Sequence, residues 1–464
     1  MRFADVFIRR PVFATMLVAS LVVLGLFSYR RLGLDLFPNV DFPIVIVTTT
    51  LKGASVEEME TGVSKVIEEG VNTIDGIDQL RSVTKEGLSQ VVVSFVLEKP
   101  RDIAAQDVRD KVATVLARLP VGTDPPVIDK FDVSAVPVMS IAISGHRGLR
   151  EVTQIARKQV KEQIETLSGV GQVILLGGQD RAINIYVDPD RLTALGLSIG
   201  QVEQAVAEQN LELPGGRLDQ TRRELVVRTM GRIEHAEDFD DLIVAHLGDR
   251  PLRVRDIGRA EDGVVEARTL SRLNGETAVQ LIVRKQSGTN TVEVIDRVKR
   301  ELERLRAVLP ADVETRVIRD QSRFIKASLE TVQLHMWLGA ALVAFTVMLF
   351  MRDWRSTVVA GIAIPTSIIS TFTFMDYLGF TLNNLTMLGL VLAVGIVIDD
   401  AVVVLENIFR HVEERGSTPM QAASEATGEI ALAVMATTLS LVIIFLPVAF
   451  MGGQVGRFFR SFGL

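Results

Sequence analysis

Apolar residues are spread unevenly along the chain. One unbroken apolar run lies near the N-terminus, from Pro11 to Tyr29, and four more follow late: Leu334 to Met351, Val358 to Phe374, Leu382 to Leu405 and Ile430 to Phe450. Each comes close to the roughly 20 apolar residues that a helix needs to cross a bilayer, so the pattern predicts five membrane spans. Pro365 and Pro447 interrupt two of them and predict kinks or hinges, where neighbouring groups must satisfy the freed carbonyls. The run at Pro11 begins behind a positive leader, MRFADVFIRR, but it is too long for a signal core and no A-x-A site follows. It reads as an uncleaved span.

From Arg30 to Gln333 no run reaches bilayer length, and the periodicity switches between about 2 and about 3.6 in short pieces. PIVIVTTTL reads as strand, SVEEMETGVSKVIEEGVNTI as amphipathic helix, QLRSVT and QVVVSFVLE as strands, and DIAAQDVRDKVATVLARL as helix. VPVMSIAIS, EVTQIARKQVKEQIETL, GQVILLG and INIYVD repeat that rhythm, and so do TAVQLIVRK, NTVEVIDRVKRELERL and VETRVIR. Such units favour small α/β sandwiches with helices on one face of a sheet, of the ferredoxin-like kind. The stretch from Asp188 to Glu266 breaks the rhythm and predicts an inserted docking subdomain, with an ordinary fourth repeat carrying a long loop as the alternative. The sandwich around it must then be discontinuous. The expected fold is an α-helical membrane bundle plus an exported α+β region. Its parts are a first span (1–30), one subdomain (31–135), a second, split one (136–187 with 267–312), the insert (188–266), a return segment (313–333), spans two to five (334–451) and a short tail (452–464).

Polarity inside the fourth apolar run changes the picture. Asp399 and Asp400 lie deep in LNNLTMLGLVLAVGIVIDDAVVVL. Each carboxylate near the centre of a span costs about 2.5–3.5 kcal/mol to insert, which is met by turning it toward other helices or water. Acids in that setting mark a proton or ion path, unless helix packing alone satisfies them. The two lie about 100° apart on the helix, so they share a broad face without overlapping, and each is close enough to oppose a second negative charge on the other. Gly389, Ala393 and Gly395 offer small surfaces for close helix approach.

Charge orients the spans. Arg2, Arg9 and Arg10 precede the first, Arg352 and Arg355 follow the second, and Arg410 and Arg415 follow the fourth. By the positive-inside rule all these lie in the cytoplasm, so the long polar region and the tail after Phe450 are exported. The net charge of −7 is spread over mixed charges with no basic face for nucleic acid. There is no cysteine, which excludes disulfides and thiolate chemistry, and the five histidines show no zinc spacing. No cofactor or metal is expected. Met59, Met139 and Met230 are too few for a thioether ladder that would carry soft copper.

Taken together, FIRRPVFA, LDLFPNVDFP, SGVGQVILLGG, DQSRFI, the run carrying IDDAVVVLENIFR and FLPVAFMGG resemble the N-terminal half of resistance-nodulation-division efflux permeases. The doubled acid is similar to the hydrophobe and amphiphile (acriflavine-resistance-like) branch, since heavy-metal exporters of that superfamily usually carry one acid there. The resemblance implies a homotrimeric antiporter of the bacterial inner membrane with a large periplasmic porter region. It also implies a periplasmic membrane-fusion adaptor and an outer-membrane channel as partners, with amphiphilic or hydrophobic compounds as cargo. By the same resemblance Asp399 and Asp400 are the proton relay, and 211–225 is similar to the arm that grips the neighbouring subunit, though a few residues shorter. The family's aromatic drug trap falls on Val136, Pro137 and Leu176; of these Val136 and Leu176, together with Arg319 and Arg323, are the candidate substrate pathway. Those permeases have two similar halves of six helices, and the chain stops at Leu464, where a sixth would start; the second half would hold the lysine that pairs with the acids. Two other readings remain: a half-permease or membrane scaffold without transport of its own, and an intramembrane aspartyl protease. The protease needs acids from two helices, and Asp376 at a membrane edge is a poor second partner.

Overall fold

The computed structural model describes residues 3–464 except 39, 41, 132–135, 213, 221–222 and 229–230, so Arg2 and Met230 lie outside the described residues. After a short helix, Phe3–Arg9, the first long apolar run forms α1 (Pro11–Arg31). Its proline occupies the start of the helix, where the missing N–H has no intrahelical role and the fixed φ suits the first turn.

Beyond α1 the chain builds a four-stranded antiparallel sheet from β1 (Ile44–Thr50), β2 (Ile77–Lys85), β3 (Leu88–Phe95) and β4 (Val127–Lys130). Burial alternates strictly along β1 and β3, as a sheet covered on one face requires. Val45, Val47, Val91 and Val93 face two helical stretches and meet Met59, Val63, Ile67, Val108 and Val112. The strand order is fourth, first, third, second.

A second sheet repeats that order. It is made of β5 (Pro137–Gly145), β6 (Val170–Leu176), β7 (Val279–Lys285) and β8 (Val313–Asp320), all antiparallel. Its core joins Met139, Ile141, Ile143, Leu281 and Val283 to Val160, Ile164, Ile295 and Val298 of the covering helices. The first covering helix of each sheet contains a π-helical turn, at Met59–Ser64 and at Ala156–Lys161.

Between β6 and β7 lies the insertion, with its own core around Leu192, Val202, Phe239, Val244, Val254 and Ile257. Two strand placements differ from the sequence-based boundaries. Arg181–Val187, expected with the second subdomain, pairs with Gly258–Val264 and so belongs with the inserted piece. Val313–Asp320, expected as return segment, is the outer strand of the second sheet, paired with β5. Both pairings are long-range, and the alternation within a strand does not disclose which distant partner it meets.

The bundle consists of α1 with α2 (Gln321–Met351), α3 (Trp354–Tyr377), α4 (Asn384–Arg415) and α5 (Pro419–Ala449), the five helices among the described residues that are long and apolar enough to cross a membrane. An amphipathic helix, α6 (Gly453–Gly463), follows and packs on α4 and α5. Local chemistry starts these helices: Asp320, Asp353 and Asn383 each accept backbone N–H bonds as N-caps, and Asn383 completes a capping box with Thr386. Gly416 ends α4 in the left-handed region, φ 64°, where a side chain would be strained. Gly25 lets α1 touch α3, because a β-carbon there would sit 1.9 Å from the Ile369 carbonyl oxygen. Gly389 of α4 approaches Phe462 of α6, whereas Gly395 meets nothing within 4 Å. Pro365 and Pro447 lie inside α3 and α5, and both helices continue through them.

Candidate functional site

Asp399 and Asp400 fall near the middle of α4. Asp400 turns toward α5. Its Oδ1 lies 3.3 Å from Thr437 Oγ1 and its Oδ2 3.0 Å from Thr438 Oγ1. Each hydroxyl is also within reach of the Val434 carbonyl, at 2.8 and 2.9 Å. A hydroxyl has one proton and two lone pairs. When the threonines donate to a charged Asp400 they release Val434; when they donate to Val434 their lone pairs can accept the proton of a neutral Asp400. The arrangement thus suits both protonation states with only hydroxyl rotation between them. Asp399, on the adjacent face, is exposed along α4.

Three turns further along α4 a second polar group is closed in. His411 is fully buried; its Nδ1 is 2.9 Å from the Asn407 carbonyl, and its Nε2 is 2.6 Å from Arg415 and 3.3 Å from Glu429 of α5. Asn407 in turn donates to the Ala426 carbonyl at 2.9 Å. These contacts pin α4 to α5 beyond the acids.

The four candidate pathway residues do not converge. Val136 is partly exposed just before β5 and borders a small cavity with Asp35, Val138 and Lys285. Leu176 ends β6 and pairs with Gln280, in register with Ala142, so it is about 20 Å along β5 from Val136 at 3.3 Å per residue. Arg319 lies on β8, opposite Ser140, at the other edge of the sheet from β6 with two strands between. Arg323 is exposed in the first turn of α2. Asp376, weighed as a second protease acid, is 4.0 Å from Arg31 at the far end of α3 rather than beside Asp399 or Asp400.

Sequence reasoning missed Thr437 and Thr438, whose only signal is a doubled hydroxyl inside an apolar span, and a buried ion pair between Asp35 and Lys285. Lys285 carried a faint one: it stands where the alternation of VQLIVRK calls for an aliphatic residue.

A bundle of helices long and apolar enough to cross a membrane, with a carboxylate pair inside one of them and two sheets of equal strand order outside it, defines a class: a multi-pass membrane protein. The pattern of the AcrB/AcrD/AcrF family matches residues 3–464, and the chain belongs to that family of resistance-nodulation-division permeases. It is similar to multidrug resistance protein MdtC of Pantoea ananatis (strain AJ13355), with 33% identity over 466 residues that cover 100% of this chain and 45% of that protein. The chain therefore spans less than half the length of this relative.

Proposed function

We propose that the chain acts, as part of a full permease, in proton-driven efflux of amphiphilic or hydrophobic compounds. Asp399 and Asp400 are its proton relay. The observation that carries this reading is the contact of Asp400 with Thr437 and Thr438, which serves the charged and the neutral acid alike inside an apolar helix. Family membership and the likeness to a multidrug resistance protein support the same direction. In this reading the five spans sit in a bacterial inner membrane and the polar region is periplasmic. The two sheets are ferredoxin-like porter sandwiches, and 188–266 is the core of the docking subdomain. The hairpin Pro214–Gln220 with Arg223–Arg228 grips a neighbour in a homotrimer. A membrane-fusion adaptor and an outer-membrane channel complete the route. Val136, Leu176, Arg319 and Arg323 line the substrate pathway at separate stations rather than one cage.

Drug susceptibility of a strain with and without the full-length gene tests this, with Asp400→Asn and Asp399→Asn as variants. Each variant should lose protection while thermal unfolding and trimer content stay near those of the parent, because neutralising a carboxylate in lipid relieves an insertion cost. Joint loss of transport and stability would mark the pair as a structural strut to a buried cation. Full protection by both variants would end the relay reading.

A further inference from the structure

The chain leaving α1 is tied in two directions at once. On one side, Leu34 forms a parallel bridge with Leu382; the Asp35 N–H donates to the Leu382 carbonyl at 3.1 Å, and the Leu382 N–H donates to the Gly33 carbonyl at 2.9 Å. Leu382 directly precedes Asn383, the N-cap of α4. On the other side, Asp35 Oδ1 accepts from Lys285 Nζ at 2.7 Å and from Thr291 Oγ1 at 2.6 Å, and Lys285 donates again to the Thr289 carbonyl at 2.6 Å. The side chains of Lys285 and Asp35 are only 5% and 11% exposed.

Lys285 ends β7, and its same-face neighbours along the strand, Val279, Leu281 and Val283, are fully buried aliphatics. An aliphatic residue there would satisfy packing. A buried ion pair is instead costly to break from either side and directional while intact, which makes it suited to transmitting a displacement rather than to filling space. The elements it connects are the second sheet and the N-terminal end of the helix that carries the acids. From Asn384 to Asp400 α4 is uninterrupted, a lever of about 24 Å at 1.5 Å per residue.

We infer that the Asp35 to Lys285 pair, with the bridge at Leu34 and Leu382, is the joint through which α4 moves the second sheet. The joint stays closed while the sheet and the helix move together. This rests on the proposed proton-driven transport. Asp35 and Lys285 are positioning residues in it and do not touch the relay acids.

The test uses the full-length protein in vesicles, following proton uptake and export of a fluorescent amphiphile in parallel. Single neutralisation strands a buried charge and endangers folding, so the principal variant removes both charges, Asp35→Asn with Lys285→Met. It should assemble and take up protons, with export reduced at least tenfold relative to uptake. A second variant, Leu34→Cys with Leu382→Cys, places a disulfide across the bridge, in a background where any cysteine outside these 464 residues is replaced by serine. Oxidation should leave export unchanged. Parental export by the neutral double variant, or arrest of export on oxidation that a reductant reverses, would overturn the joint. Should the neutral variant fail to assemble, the disulfide pair decides alone. Asp400→Asn in the same vesicles separates the two readings. If that variant still exports, the proton relay has failed, and the joint is then judged on export alone by the same two variants.

Discussion

Thr438 Oγ1 stands between two acceptors, 3.0 Å from Asp400 Oδ2 on the neighbouring helix and 2.9 Å from the Val434 carbonyl one turn back on its own. That position makes it a partner for Asp400 whichever way the proton lies. Replacing Thr437 and Thr438 together by valine keeps their shape and removes both hydroxyls. A hydrogen bond to a charged group contributes about 1.5–3 kcal/mol, which is the order of interaction each lost hydroxyl removes. Substrate-driven proton uptake in vesicles should fall at least tenfold. The double serine variant should restore it. Unchanged uptake in the valine variant would show that the hydroxyls do not serve the acid.

The orientation of the spans is open to labelling. Asp219 lies in the exposed hairpin and Ser417 just past the end of α4. A membrane-impermeant thiol reagent applied from outside should reach Asp219→Cys and not Ser417→Cys. Ser417 is the better probe than its neighbour, since replacing Gly416 would strain a left-handed helix end. The reverse labelling pattern would refute the orientation.

Acid sensitivity should appear where β8 begins. Arg147 grips Asp312 with two bonds, Nε to Oδ2 at 2.6 Å and a terminal nitrogen to Oδ1 at 2.9 Å. The Arg147 hydrogen bonds hold the Asp312 carboxyl below its ordinary range, against a smaller opposing effect of desolvation. A carboxyl whose folded pKa is depressed contributes stability above its unfolded pKa, near 3.9, and loses it as pH falls through the folded value. Asp312→Asn should therefore lower the unfolding temperature at neutral pH and converge with the parent as pH falls through the depressed folded value. Both are exposed, so the effect should be small, and thermal scans at several pH values would read it. A constant offset at every pH would assign it to packing instead.

Much of this was legible in the chain itself. The spans declared themselves by length, and Asp399 and Asp400 stood out because nothing apolar explains them. The alternation in β1 and β3 gave the covered face directly, since period 2 and one-sided burial are the same fact. What escaped depended on distant partners. INIYV alternates equally well for a strand beside β6 or one beside Gly258–Val264, and only the pairing across the insertion decides. Lys285 reads as a polar strand end until Asp35, 250 residues earlier, is placed against it. Val136 and Leu176, joined by analogy, turn out to sit at different levels of one sheet.

The interruption of the second sheet also sets a timetable for folding. All strands of the first sheet lie between Ile44 and Lys130, so it can close as soon as that stretch has been synthesised. β5 must wait for β7 and β8, across the whole insertion, before it finds either neighbour. Non-local pairing of that kind is slow and leaves strand edges unsatisfied meanwhile. The wait ends at Asp320, and Gln321 already opens α2. The last strand of the sheet and the return to the bilayer therefore emerge as one continuous piece, so the second sheet is completed only as the chain is being threaded back into the membrane.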